Sequence, residues 1–322
     1  MADIIITLTR RWPHAVEVAL QKQFTVRLNP DDHVFDRDEI ISACDGVTVL
    51  CPTITDEIDA ALIERLPDSV RLIACFGAGI ERVDVRAARH RGIVVSNTPG
   101  AVVEDTADLA FGLILAASRR FSEAESLLRL GGWHGFSLDQ LLGRSVHGKI
   151  LGIIGLGKIG TAVAARARGF GMRVIYHNRN RRPEAEAQYN VEFFPDLGKL
   201  LAEADIVSLH CPLTPATHHL IDAAAIKQMK PGMILVNTSR GPVIHEEALV
   251  AALQEGPVLA AGLDVYEFEP GVSETLRSLP NTVLLPHIGT ATREARTAMG
   301  MRVLDNIVAF LQTGKVRDEV KG

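Results

Sequence analysis

The chain has 322 residues, with 34 Lys and Arg against 39 Asp and Glu, a formal net charge of −5, 47% apolar residues and 23% charged residues. This length sets about two domains, each large enough for its own core, and the composition is that of an ordinary globular protein. The mildly acidic balance excludes a nucleic-acid binder that relies on a broad basic surface, while leaving room for a local basic pocket. Cys44, Cys51, Cys75 and Cys211 form no C-x-x-C pair, which argues against a zinc site or disulfide framework and for a reducing compartment. The opening Met-Ala-Asp puts an acid where a leader needs positive charge, and the longest apolar run, 109–117, is about half a membrane span. A cytoplasmic protein with no membrane association is the expectation.

In chain order, strands are predicted over 4–9, 24–28, 47–51, 71–76 and 93–96, alternating with helices over 14–23, 37–43, 56–66 and 84–91. Such alternation implies right-handed βαβ crossovers and a mostly parallel sheet covered on both faces. Asn97-Thr98-Pro99-Gly100 is the best linker in the sequence. One long helix is expected from Val102 to about Leu130, ended by Gly131-Gly132; its middle is apolar on every side, as in a core helix or one partly covered by a second subunit. A second α/β series follows, with strands over 149–154, 173–176, 206–210, 234–237, 259–263 and 282–285. Its helices are expected over 159–170, 196–204, 222–229 and 245–254, and a last helix spans 293–312.

Gly155-Leu156-Gly157-Lys158-Ile159-Gly160 matches G-x-G-x-x-G, a pattern that glycine frequency alone would produce about 0.2 times in a chain of this kind. Its context adds weight, because it follows the apolar strand Ile150-Leu151-Gly152-Ile153-Ile154 and opens an Ala-rich helix. Gly155 makes the tight turn, Gly157 lets the backbone approach a pyrophosphate and Gly160 lets helix and strand pack closely. The helix N-terminus then holds the anion with its orphan N–H groups and its dipole. The plain alternative is a Gly-rich turn without a ligand.

The next strand bears on which dinucleotide is bound. It runs into His177-Asn178-Arg179-Asn180-Arg181-Arg182, with no acid until Glu184, where an NAD site carries an Asp or Glu for the ribose hydroxyls. A carboxylate there repels a 2′-phosphate, whereas guanidinium groups bind it with charge-assisted hydrogen bonds. NADPH (NADP+) is therefore expected, with NADH as the weaker coenzyme; a solvated basic loop is the alternative.

Three polar residues follow the carboxyl ends of predicted strands, where open α/β sheets bind ligands. Arg240 stands in Thr238-Ser239-Arg240-Gly241, Glu269 closes Leu263-Asp264-Val265-Tyr266-Glu267-Phe268-Glu269, and His287 stands in Leu285-Pro286-His287-Ile288-Gly289. Arg supplies a planar anion clamp, His a proton near neutrality and Glu a partner that orients the imidazole. Each alone is an ordinary surface or turn residue. Together, beside a nicotinamide coenzyme, they suggest hydride transfer to the carbonyl of a carboxylate substrate.

These stretches, with Met229-Lys230-Pro231-Gly232, resemble the D-isomer-specific 2-hydroxyacid dehydrogenases over essentially the full chain, closest to the glyoxylate/hydroxypyruvate reductase and 2-ketogluconate reductase branch. The resemblance implies two doubly wound parallel-sheet α/β domains with a cleft between them. A Rossmann coenzyme domain (100–286, with a dimerisation helix) is inserted into a flavodoxin-like substrate domain (1–99 and 287–322). It implies that backbone amides of Gly77, Ala78 and Gly79 bind the substrate carboxylate with Arg240, and that the long helix and the segment around Trp133 belong to a homodimer interface. Cys211-Pro212 flanks the adenine in such proteins, and Thr238 and Asp264 lie near the nicotinamide. Thr106, Asn178, Arg179, Arg181, Thr217, Ser239, His287 and Gly289 are counted with the fingerprint as coenzyme-binding.

The implied reaction is reduction of a small 2-keto acid, with Arg240 on the carboxylate, His287 as proton donor and Glu269 favouring the imidazolium. Reduction then fades as pH rises through the imidazole pKa. A 2-keto-D-gluconate reductase is the nearest alternative. From another class comes a dinucleotide-sensing, corepressor-like binding protein, which keeps the same three residues; against it stands the lack of a long disordered tail. A phosphite dehydrogenase is expected to place Lys in the loop that here reads Phe76-Gly77-Ala78-Gly79, and most phosphoglycerate dehydrogenases carry a further regulatory domain. No metal is expected: His218 and His219 are adjacent, so they are read as diverging, exposed polar residues without a third ligand at suitable spacing. Cys211 lacks a base beside it and is not read as a nucleophile.

Overall fold

The computed structural model describes residues 4–321, so the Met-Ala-Asp behind the leader expectation lies outside the described residues. The chain divides into two compact units, Met1–Val102 with Ala291–Gly322, and Val103–Thr290.

The first unit alternates β1 (Ile5–Leu8), α1 (His14–Gln21), β2 (Thr25–Arg27), α2 (Arg37–Ala43), β3 (Val49–Cys51), α3 (Ala60–Arg65), β4 (Leu72–Ala74), α4 (Val85–His90) and β5 (Val94–Ser96). All pairings are parallel, in the order β2-β1-β3-β4-β5, the flavodoxin-like order. The central strands are apolar at every position and buried on both faces, as a sheet covered by helices requires. Asp36, Asp59 and Asp84 each cap a helix by accepting a first-turn amide. The helix expected over 56–66 starts only at Ala60. Asp59 takes the cap, while Asp56 turns back to accept from Thr9 Oγ1 and Thr53 N, both at 2.6 Å.

The second unit opens with α5 (Val103–Ser118) and α6 (Phe121–Arg129), then β6 (Ile150–Ile154), α7 (Lys158–Gly169), β7 (Arg173–His177), α8 (Pro183–Tyr189), β8 (Val191–Phe193), α9 (Leu197–Glu203) and β9 (Ile206–Leu209). It continues with α10 (Ala223–Ile226), β10 (Met233–Asn237), a 3-10 turn (Gly241–Val243), α11 (Glu246–Glu255), β11 (Val258–Leu263), α12 (Glu274–Ser278) and β12 (Thr282–Leu284). The seven parallel strands lie in the order β12-β11-β10-β9-β6-β7-β8, which is the Rossmann order read from β8 with one strand added. Side chains alternate between two cores. Ile153, Tyr176, Ile234 and Val236 pack with the apolar side of α5 and α7, while Ile154, Ile175, Leu235 and Leu263 face the opposite layer. The chain then returns to the first unit as α13 (Arg293–Thr313), which packs on α1 and β4.

The single helix expected from Val102 to Leu130 is in fact two. Arg120 adopts a left-handed φ of 55° between α5 and α6 and clamps Glu123 in the first turn of α6 at 2.8–2.9 Å. The Ser118 carbonyl accepts from Arg144 N at 2.7 Å, and a β-carbon on Gly143 would lie 2.4 Å from that same oxygen. A returning loop therefore takes over the carbonyl that a continuing helix would have used. The sequence reading also passed over α8 and β8, a short pair in which the helix buries only Ala185.

Candidate active site

The fingerprint lies between β6 and α7, and its three glycines are required for different reasons. Gly155 has a φ of +100°, and a β-carbon there would sit 2.5 Å from Cys211 N. A β-carbon on Gly160 would sit 2.3 Å from Gly155 O. Gly157 meets nothing within 4 Å and has an ordinary φ of −85°, so the protein itself gives no reason for its missing side chain. Gly157 is also the N-cap of α7 and offers no capping side chain, leaving the amides of the first turn open to an anion. The open space over Gly157 and the uncapped helix fit a dinucleotide pyrophosphate.

Leu156 is buried, and its N–H donates to Asn178 Oδ1 at 2.7 Å, so the residue just past the carboxyl end of β7 braces the glycine loop. Arg179 beside it is exposed and has no partner among the described residues. Arg181 is committed to Glu186 at 2.7–3.1 Å, and Glu186 also accepts from Tyr176 Oη at 2.7 Å. The Arg181 guanidinium, with the Tyr176 hydroxyl, holds the Glu186 carboxyl down at about 2. Lys158 and Ile159 form the first turn of α7. Cys211 is buried against Gly155, with its thiol pushed up to about 11 by burial. Thr217 Oγ1 donates to Pro212 O at 2.6 Å and accepts from Thr214 N, which pins the loop after β9.

Arg240, Glu269 and His287 come together at the carboxyl ends of β10, β11 and β12. Asn237 shapes the first turn, with Oδ1 accepting from Ser239 N and Oγ at 2.9 and 2.8 Å and Nδ2 donating to Arg240 O at 2.9 Å. Arg240 Nη1 donates to Ser239 O at 2.7 Å. Glu269 Oε2 lies 2.8 Å from His287 Nδ1, and its Oε1 accepts from Tyr266 N at 2.9 Å. Burial pushes the Glu269 carboxyl up. The His287 and Tyr266 bonds and the nearby Arg240 charge more than offset this, leaving it below the usual carboxylate range.

His287 has a left-handed φ of 53°, and Asp264 supports that geometry. The Asp264 backbone carbonyl accepts from His287 N at 3.0 Å, and its carboxylate accepts from Ile288 N and Gly289 N at 2.7 and 2.8 Å. Burial raises the Asp264 carboxyl above its usual range despite these bonds. Thr106 Oγ1 completes the brace by donating to Gly289 O at 3.1 Å. Thr238 Oγ1 is buried without a partner, an orphan that a bound coenzyme could satisfy. The His287 and Glu269 side chains remain 32% and 30% exposed, so the pair can be reached. His287 Nε2 has no protein partner among the described residues.

In the first unit, the amides of Gly77, Ala78 and Gly79, in the loop after β4, donate to no acceptor among the described residues. Carbonyls of the same loop are tied back, Gly77 O to Thr98 N at 2.9 Å and Ala78 O to Asn97 Nδ2 at 2.7 Å.

Some residues escaped the sequence reading. Tyr266 and Gly241 lock the Arg240 turn to the Glu269 turn, since a β-carbon on Gly241 would fall 1.8 Å from Tyr266 O. His218 and His219 do not diverge as expected. Their rings stack at 3.9 Å, because His219 takes a left-handed φ of 51°, and His219 Nε2 is 2.6 Å from Glu267 Oε1. The adjacent pair H-H was the only signal, and its spacing gave no hint of Glu267.

Residues 111–289 match the family model described as D-isomer specific 2-hydroxyacid dehydrogenase, NAD binding domain. The chain is 43% identical over 309 residues to a glyoxylate reductase of Thermococcus litoralis, covering 95% of this chain and 93% of that protein. A glyoxylate reductase structure from Paecilomyes thermophila superposes with a TM-score of 0.88 at 38% identity, covering 99% of each chain. An NADPH-dependent glyoxylate/hydroxypyruvate reductase from Sinorhizobium meliloti, in complex with NADP and malonate, gives 0.87 at 33% identity, covering 99% of this chain and 97% of that one.

Proposed function

The chain belongs to the D-isomer specific 2-hydroxyacid dehydrogenase family, and from that premise we propose that it reduces small 2-keto acids, glyoxylate and hydroxypyruvate foremost, to D-2-hydroxy acids with NADPH. The observation that carries this reading is the Glu269–His287 bond at 2.8 Å, set beside Arg240 with the other ring nitrogen unpartnered. A carboxylate at Nδ1 keeps a proton there, so Nε2 carries one only in the imidazolium form.

A bound nicotinamide coenzyme supplies the hydride to the substrate carbonyl carbon. Arg240 clamps the substrate carboxylate through its planar fork and draws charge from the adjacent carbonyl. The amides of Gly77, Ala78 and Gly79 are assigned to the same carboxylate. His287 Nε2–H gives its proton to the developing alkoxide oxygen, and the neutral ring is then reprotonated from solvent. Glu269, held below the usual carboxylate range, stays ionised and fixes the ring in one orientation.

NADPH preference is supported by Asn178 in place of an acid and by Arg179, exposed and uncommitted, which is assigned to the 2′-phosphate. The fingerprint residues, with Thr106, Cys211, Pro212, Thr217, Thr238, Ser239, Asp264 and Gly289, are proposed to line the rest of the coenzyme site. Arg181 contributes less, because it is bound to Glu186. A homodimer is proposed from the apolar surface of α6 and the segment after it, where Leu130, Phe136 and Leu138 are each 86% exposed and Trp133 is 55% exposed. Cytoplasmic residence is part of the same reading, supported by four unpaired cysteine thiols.

The test is kcat/KM for glyoxylate, hydroxypyruvate and 2-keto-D-gluconate, each with NADPH and NADH. Turnover of the first two with at least a tenfold NADPH preference, about 1.4 kcal/mol, is the expected result. A ranking led by 2-keto-D-gluconate would move the substrate assignment, and tight NADPH binding without turnover of any of the three would overturn the reading.

A further inference from the structure

Beside the Arg240 and Glu269 turns lies a second imidazole–carboxylate pair, neither member of which is assigned to coenzyme or substrate. His219 Nε2 is 2.6 Å from Glu267 Oε1, with the two side chains 28% and 12% exposed. The other Glu267 oxygen accepts from Glu246 N at 2.8 Å, and Glu246 Oε2 accepts in return from Glu267 N at 3.3 Å. His219 N donates to Pro242 O at 2.8 Å, Ile221 N to Val243 O at 3.0 Å, and His245 N to Ile221 O at 3.1 Å. Three segments are thereby laced together: 219–221, 240–246 and 266–269.

The position of this lacing is what gives it meaning. Pro242 is two residues from Arg240, and Glu267 is two residues from Glu269. The two turns already press together at Gly241, where Tyr266 O leaves no room for a side chain. His219 adds a grip on both turns from a third segment, by its amide on one and its ring on the other. It holds a left-handed φ of 51° to do so, a conformation that a bulky residue keeps only where its surroundings enforce it.

We propose that His219 is a positioning residue that holds the carboxylate clamp of Arg240 in register with the Glu269–His287 pair, acting through Glu267 and Pro242. The inference rests on the assignment of those three residues as the working site. The groups facing the pair are His218 and His245, whose rings lie 3.9 and 4.6 Å from that of His219, and the Glu246 carboxylate. His245 Nδ1 accepts from Ala248 N at 3.3 Å as the cap of α11, and His219 is the ring hydrogen-bonded to Glu267. Without it, two largely buried carboxylates face each other across their crossed amide bonds, and the turns that carry them are free to part.

The experiment compares the full chain with His219→Ala, His219→Gln, Glu267→Ala and the His219→Ala/Glu267→Ala double variant. Three readouts are taken: kcat/KM for the keto acid, NADPH affinity, and the titration of the His287 ring by NMR, assigned with His287→Gln. His219→Ala is expected to lower kcat/KM by between about ten- and a hundredfold, the effect of a displacement near 1 Å. NADPH affinity should stay within about twofold, and the His287 titration should move because Glu269 no longer meets the ring squarely. His219→Gln, which keeps a donor toward Glu267, restores most of the loss. The double variant is no worse than either single one, because the pair acts as a unit.

An unchanged kcat/KM in His219→Ala overturns the inference. So does a loss of kcat/KM with the His287 titration in place, which would mean only a reduced folded fraction. If the wild type turns over no keto acid, the proposed function fails on its own, and the His287 titration still decides the role of His219.

Discussion

Gly241→Ala separates geometry from chemistry most cleanly. The added β-carbon would lie 1.8 Å from Tyr266 O, 1.9 Å from Tyr266 C and 2.5 Å from Glu267 N, whereas real contacts almost never fall below 3.0 Å. All three atoms are backbone, so no side chain can swing away, and the Arg240 and Glu269 turns must separate by about 1 Å. A shift of that size costs about a hundredfold in kcat/KM, or about 2.7 kcal/mol of transition-state stabilisation. Overpacking should also remove about 1–3 kcal/mol of stability, a fall in Tm of about 2–12 °C for a unit of this size.

Gly157→Ala is the matched control. Nothing lies within 4 Å of its added β-carbon, so the free protein should lose no more than the roughly 1 kcal/mol by which Ala is the poorer N-cap. NADPH affinity should nonetheless fall by at least about tenfold, because the methyl occupies the space assigned to the pyrophosphate. Steady-state absorbance at the reduced-coenzyme band, coenzyme titration by fluorescence and thermal melts without coenzyme give all the numbers. Wild-type kcat/KM in a folded Gly241→Ala protein would refute the argument that these turns are held in register by contact.

Other perturbations have equally definite outcomes. Arg179→Ala should raise the KM for NADPH at least about tenfold and leave NADH kinetics alone, while Arg181→Ala should do much less; equal effects would show that the Glu186 pair does not occupy Arg181. Arg240→Lys keeps charge but loses the fork, so kcat/KM for glyoxylate should drop at least about tenfold, and parity with wild type would remove Arg240 from the carboxylate. The pH dependence of stability follows from Glu186, whose carboxyl is lowered from 4.5 to about 2 by Arg181 and Tyr176. Below pH 4.5 the unfolded chain takes up the proton first, so this contribution is complete above 4.5 and is lost as pH falls toward 2. Melts over that range should therefore show a shallower acid limb in Glu186→Gln than in wild type, and superimposable limbs would contradict the assignment.

The meeting of Arg240, Glu269 and His287, the proposed working residues, was foreshadowed because parallel sheets present loop side chains at the carboxyl ends of strands, and each of the three follows one. The glycine fingerprint was legible for the same reason, with a strand before it and a helix after. What escaped depended on contacts distant in sequence. Nothing near Ser118 foretells that Arg144, 26 positions on, claims its carbonyl and ends α5. Nothing near His219 foretells Glu267, 48 positions away. Adjacent residues diverge only while the backbone stays in a regular element, and a left-handed φ at His219 cancels that rule. Arg181 was grouped with Arg179 because the sequence shows only a basic run; the structure divides it by placing Glu186 within reach of one and not the other.

The bond from Leu156 N to Asn178 Oδ1 bears on how readily a lineage could change coenzyme. An aspartate at 178 offers an oxygen in the same place, so Asn178→Asp would keep the brace on the glycine loop while adding the charge that rejects a 2′-phosphate. Structural need would then rest on one carboxylate oxygen of that aspartate and coenzyme choice on its charge. On the NADPH reading proposed above, a lineage could shift its coenzyme choice through this one substitution while keeping the glycine loop braced.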